Sequence, residues 1–72
     1  MIYTKNSDDI KREIKIMLLN GNITQAELSE KLGKSRQAVS NLIRQQNISL
    51  NALTDIANAA GFDVEINFLK RD

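Results

Sequence analysis

Seventy-two residues, 42% of them hydrophobic and 26% charged, are enough for one small folded domain, 1–72, with a thin core. Cysteine and histidine are both missing, which excludes disulfide staples and thiolate or imidazole metal sites. The net charge is only +1, but it is unevenly spread: residues 31–54 carry four basic side chains (Lys31, Lys34, Arg36, Arg44) and no acidic one, while the rest carries six basic and nine acidic, a net of −3.

No apolar run approaches the roughly 18 residues needed to cross a bilayer. The opening Met1-Ile2-Tyr3-Thr4-Lys5-Asn6 lacks the apolar centre of a signal peptide. The expectation is a cytoplasmic protein with no membrane partner. Residues 1–6 read as an N-terminal arm, in which Ile2 and Tyr3 could pack on the body or add a short strand.

A first helix is expected over 8–20. Ser7 is placed to cap it, and Asp8 and Asp9 complement the positive end of its dipole. Ile10, Ile14, Met17 and Leu18 then make one apolar stripe, and Asn20-Gly21 supplies a left-handed stop. Thr24-Gln25-Ala26-Glu27 is a capping box that opens a second helix, with Ile23 and Leu28 at the positions of a hydrophobic staple and Gly33 past its end.

Ser35 caps a third helix, about 36–45. Val39, Leu42 and Ile43, with Ala38 beside them, face inward. Arg36, Gln37, Ser40, Asn41 and Arg44 face outward. After the polar Gln45-Gln46-Asn47, Ile48-Ser49 repeats the staple-and-cap entry. Leu50, Leu53, Ile56, Ala57 and Ala60 form the buried stripe of a fourth helix, about 50–60, stopped by Gly61. The pattern then changes period. Phe62, Val64, Ile66 and Phe68 alternate with Asp63, Glu65 and Asn67, which predicts a β-strand over 62–68 with one apolar face. Such a strand needs a partner for its backbone groups, either the N-terminal arm or the same strand of a second copy.

Residues 23–44 are therefore two short helices around a turn at Gly33, the second presenting polar and basic side chains. That is the layout of a DNA-reading helix-turn-helix. A reading helix needs forked donors and acceptors in its first turns. Arginine suits guanine and glutamine suits adenine, so Arg36 and Gln37 are the leading base readers, with Ser40 one turn on and Asn41 at the edge. Gln25, Lys34 and Ser35 stand at helix N-termini, where backbone N–H groups attract phosphate. Arg44, Gln45 and Gln46 could grip the backbone on the other side. The plain alternative for Arg36 and Gln37 is solvated helix surface, and for Glu27 and Asp8-Asp9 capping and dipole roles rather than catalysis or metal binding. The turn, the caps and the charge asymmetry favour DNA contact.

On these residues, segment 23–61 resembles the helix-turn-helix domain of phage Cro and repressor proteins, the XRE-type regulators. The resemblance rests on Thr24-Gln25-Ala26-Glu27-Leu28, Gly33, Ser35-Arg36-Gln37-Ala38-Val39-Ser40, and Ser49-Leu50 through Ile56-Ala57-Asn58-Ala59-Ala60-Gly61. It implies a mainly α, four-helix lambda-repressor-like domain that binds operator DNA as a dimer, with Gln25 on phosphate and Arg36, Gln37 and Ser40 on bases. Two features depart from the family pattern. Leu18 and Ile43 stand where many members bury an arginine–glutamate pair, and the strand 62–68 stands in place of a fifth helix. The second departure moves the expected dimer contact to Phe62, Val64, Ile66 and Phe68, with helix 50–60 as the other candidate.

The reading is a transcriptional regulator, repressor or autoregulator, binding a palindromic operator as a homodimer without cofactor or metal. The alternative is an antitoxin-like protein that binds a toxin-type partner through its C-terminal strand or fourth helix. No glycine-rich phosphate loop or paired-carboxylate arrangement supports an enzyme.

Overall fold

The structure is a computed structural model that describes residues 2–72. It contains four helices: α1, Ser7–Asn20; α2, Gln25–Leu32; α3, Arg36–Arg44; and α4, Leu50–Ala59. Each starts at a side-chain cap. Thr24 Oγ1 accepts from the Glu27 N–H while Glu27 Oε1 accepts from the Thr24 N–H, which completes the expected capping box. Ser35 Oγ accepts from Ala38 N–H, and Ser49 Oγ from Ala52 N–H.

The first helix is capped one residue earlier than the sequence suggests. Asn6 Oδ1, not Ser7, takes the Asp8 N–H at 3.0 Å. The reason lies just upstream. Thr4 donates to Asp9 Oδ2 through both its backbone N–H and its hydroxyl, and this clamp sets the angle at which the chain enters α1. Lys5, between the clamp and the cap, is left at φ 69°, a left-handed conformation uncommon for lysine. Among its described residues the arm forms no strand. Ile2 and Tyr3 are exposed, and Met1 lies outside the described residues.

Three helices end in the same way. The chain turns through a left-handed residue, and the next N–H reaches back five residues. The left-handed residues are Asn22 (φ 53°), Gly33 (φ 66°) and Gly61 (φ 86°). The returning bonds run from Ile23 to Leu18, Lys34 to Ser29 and Phe62 to Ala57. This is the Schellman arrangement. It corrects the expected stop after α1: Asn22 is left-handed, whereas Gly21 sits at φ −82°. Gly21 is there for space. A Cβ on it would lie 2.9 Å from Cε1 of Phe62, whose ring covers the end of α1.

Ile14, Leu28, Val39, Ile56 and Ala60 form the buried core, with Leu18, Ile23, Ile43, Leu53 and Phe62 among the partly buried residues packed on it. α2 is the hub and packs on both α3 and α4. Leu18 and Ile43 contribute apolar surface where the resembled family places an ion pair, an exchange that is often neutral or stabilising. Two side chains depart from their expected faces. Leu50 is 59% exposed because it begins α4, one turn before the helix meets the core. Ala38 is exposed on the flank of α3, beside rather than within the Val39–Leu42–Ile43 stripe.

The expected strand over 62–68 is not formed, and no strand occurs among the described residues. A strand exists through its ladder, and among the described residues no backbone group pairs with the tail beyond Phe62. The apolar alternation mixes two roles. Phe62 belongs to the cap of α4 and the core. Ile66 and Phe68 are 58% and 97% exposed.

Candidate nucleic-acid interface

The turn between α2 and α3 is fixed from both ends. Gly33 and Lys34 donate their N–H groups back to Glu30 and Ser29 of α2, and Ser35 accepts from Ala38 and Val39 of α3. Ser29 is buried beneath this corner, its hydroxyl donating to the Gln25 carbonyl at 2.8 Å. A small, internally satisfied side chain there lets the two helices meet closely. No atom lies within 4 Å of where a Cβ on Gly33 would stand, so glycine is required for its backbone angle alone.

α3 has strong two-sidedness. Val39 is fully buried, with Leu42 and Ile43 packed beside it on the core. At 3.6 residues per turn, Gln37 falls on the far side of the helix from that stripe, flanked by Asn41, Arg44 and Ser40. Arg36, Gln37, Asn41 and Arg44 are exposed, and Ser40 is half-buried at the margin. Gln37 Nε2 donates to Asn41 Oδ1 at 3.1 Å across one helical turn of this face.

The residues expected to hold phosphate also stand in solvent: Gln25 at the first position of α2, Lys34 and Ser35 in the turn, and Arg44, Gln45 and Gln46 at the end of α3. Ser35 uses its oxygen to cap α3, which leaves its hydroxyl hydrogen to donate outward. Among the described residues, the backbone N–H groups of Gln25, Ala26, Arg36 and Gln37 have no acceptor within the chain. They are the orphan donors of two helix N-termini, where the helix dipoles favour an anion.

Folding modifies the charge pattern read from the sequence. An open groove between α2 and the start of α3 is lined by Ala26, Glu27, Ser29, Glu30, Lys34 and Arg36, so two carboxylates from outside the acid-free window share a concavity with two of its cations. Glu27 is occupied by the capping box, and Glu30 is exposed. On another side, Asp55 of α4 joins Lys31 and Lys34 around a shallow groove floored by Leu32, Leu42, Ala52 and Ala59. The linear window missed both: Glu27 and Glu30 lie just before its start and Asp55 just after its end, and the fold brings them onto its cations. The positive surface is therefore narrower than the window implied and centres on α3 and its two flanks.

Among the described residues, no three His, Cys, Asp or Glu side chains are grouped to hold a metal ion, and no helix is long and apolar enough to cross a membrane. A family model described as Helix-turn-helix matches residues 14–67. Comparison with curated proteins and with solved structures found no match. The matched span runs from within α1 to within the tail and takes in α2, α3, α4 and the turn between α2 and α3.

Proposed function

The chain belongs to the XRE-type helix-turn-helix family of DNA-binding regulators, and from that premise we propose that it represses transcription, or regulates its own, by binding a palindromic operator as a homodimer. The observation that carries this is the polar face of α3, which projects Arg36, Gln37, Ser40, Asn41 and Arg44 away from a core sealed by Val39. Arg36 and Gln37, in the first turn, read guanine and adenine edges in the major groove, and Ser40 reads beside them. Gln25, Lys34 and Ser35 hold phosphate on one side of the groove, and Arg44, Gln45 and Gln46 on the other. The protein acts where the DNA lies, in the cytoplasm.

The second copy is engaged through the tail. Beyond Phe62 no backbone group of the chain has a hydrogen-bond partner among the described residues, and Ile66, Phe68 and Leu69 are exposed. Antiparallel pairing with the twin tail about a two-fold axis would satisfy the backbone and cover the apolar side chains together. Of the four residues assigned to dimerisation from sequence, Ile66 and Phe68 carry this contact, Val64 lies at its base, and Phe62 supports it from within its own protomer.

Selection of bound duplexes from a random library, with the stoichiometry of the complex measured alongside, tests the proposal. The expected operator is a palindrome with half-sites about 34 Å, one helical turn, apart. Arg36→Ala should cost about 1–3 kcal/mol of affinity and relax preference at one base step. Unchanged operator affinity in both Arg36→Ala and Gln37→Ala would refute the residue assignment. A monomeric chain whose tail is occupied by a co-purifying partner protein would favour the antitoxin-like alternative.

A further inference from the structure

The hydrogen bond from Gln37 Nε2 to Asn41 Oδ1 lies within the reading face and is not needed to hold the fold, since both side chains are exposed. We propose that Asn41 is a positioning residue that sets which end of the Gln37 amide meets the base, and so supplies preference for adenine over guanine at one step. This rests on the assignment of α3 as the reading helix.

The two ends of a carboxamide have nearly the same shape and opposite polarity. The torsion that turns them over is broad and roughly two-fold, so an isolated exposed glutamine offers either orientation. The base edges respond differently. Adenine presents an N6 donor beside the N7 acceptor, whereas guanine presents two acceptors, O6 and N7. An amide with its oxygen toward N6 and its nitrogen toward N7 matches adenine. Turned over, its nitrogen can donate to guanine O6. Discrimination therefore depends on holding the amide one way.

Asn41 Oδ1 can only accept, so it holds the nitrogen of Gln37 and rejects its oxygen. The nitrogen carries two hydrogens. Asn41 takes one, which leaves the other and the whole of Oε1 for the base. The remaining end of Asn41 is Nδ2, a donor. On a duplex it suits a phosphate oxygen and cannot be exchanged for Oδ1, because an anion accepts and does not donate. The donors then all point one way: adenine N6 to Gln37 Oε1, Gln37 Nε2 to Asn41 Oδ1, and Asn41 Nδ2 to phosphate. Asn41 thus acts through Gln37 and the backbone, not as a base reader of its own.

The test compares binding of the selected operator and its single-base variants by the wild type, Asn41→Ala, Asn41→Asp, Gln37→Ala and the Gln37→Ala/Asn41→Ala double variant. Asn41→Ala should lower the adenine-over-guanine preference about three- to tenfold at the step that Gln37→Ala relaxes, a part of what one bidentate contact discriminates. Asn41→Asp keeps the acceptor, so it should weaken binding to every duplex while retaining the preference. The double variant should discriminate no worse than Gln37→Ala alone. An unchanged preference in Asn41→Ala, or a further loss in the double variant, overturns the proposal. The Gln37 side-chain amide resonances of the free protein give a reading independent of DNA, and they should shift in Asn41→Ala. Base preference with an indifferent Gln37 amide overturns the positioning role alone. A responsive amide in a protein that prefers no base overturns the DNA assignment of α3 and the positioning role with it.

Discussion

The turn from α2 into α3 and the ten residues after Phe62 both lack regular secondary structure, and they differ in where their backbone groups go. In the turn, the N–H groups of Gly33 and Lys34 return to α2, and the carbonyl and hydroxyl oxygens of Ser35 accept from α3. In the tail, no backbone group finds a partner among the described residues. The turn is irregular and complete; the tail is irregular and unfinished. An exposed polar backbone can stay with water, but an apolar row beside it gains by leaving water. A segment with both open hydrogen-bonding groups and an exposed Phe68 is therefore suited to a surface beyond its own protomer, whereas the turn needs nothing more to hold α3 in place.

This contrast can be broken at several depths. The largest effect is expected beneath the turn. Leu28 is fully buried in the hub helix, so Leu28→Ala should cost about 2–5 kcal/mol. A chain of this length has a total stability of only about 4–11 kcal/mol, so urea denaturation should show the variant largely or wholly unfolded under mild conditions. Next comes the turn itself. Gly33→Ala forces a side chain into the left-handed region and should cost about 1–2 kcal/mol, with operator binding weakened as α3 loses its angle. Gly33→Asn should cost less, because asparagine tolerates that conformation, as Asn22 does after α1. Equal losses for Ala and Asn would mean that space, not backbone angle, selects glycine here.

In the tail the expected signs reverse. Ile66→Ser with Phe68→Ser should change the unfolding free energy of the isolated protomer by no more than about 1 kcal/mol, since Phe68 stands in water and Ile66 is more than half exposed. The same change should abolish the dimer in sedimentation and weaken operator binding. A dimer that survives it would place the interface elsewhere, with α4 the first candidate.

The smallest effect is expected at the N-terminal clamp. Hydrogen bonds from the Thr4 hydroxyl and backbone, together with the nearby Arg12 guanidinium, hold the Asp9 carboxyl below the usual aspartate range. A folded-state pKa below the unfolded one stabilises above the unfolded value and is lost as pH falls through the folded value. Acid should therefore release residues 2–5 before the core yields, seen as loss of the Thr4 signals in a pH titration followed by NMR. Asp9→Asn should flatten that local transition without moving the global one.

Much of the body was legible in the sequence because its signals are local. Thr24 and Glu27, Ser35 and Ala38, Ser49 and Ala52 meet within one turn, so the capping patterns identified the starts of three helices. The inward stripe of α3, and with it the outward position of Gln37, follows from helical periodicity alone. The caps were less legible where two neighbours compete: Asn6 rather than Ser7 caps α1, because the Thr4–Asp9 clamp sets the entry, and Asn22 rather than Gly21 turns the chain out.

By itself, then, the sequence determined four helices, a turn at Gly33 and the outward polar face of α3, since each depends on residues three or four apart. Tertiary structure alone decided that Gly21 makes room for Phe62, that Glu30 shares a groove with Arg36, and that Phe62 serves the core while Phe68 stands in solvent. Two-residue alternation in the tail placed these phenylalanines on one face. It could not separate them, because burial depends on which other elements stand nearby: Phe62 packs on the core at the end of α4, and Phe68 stands clear of it.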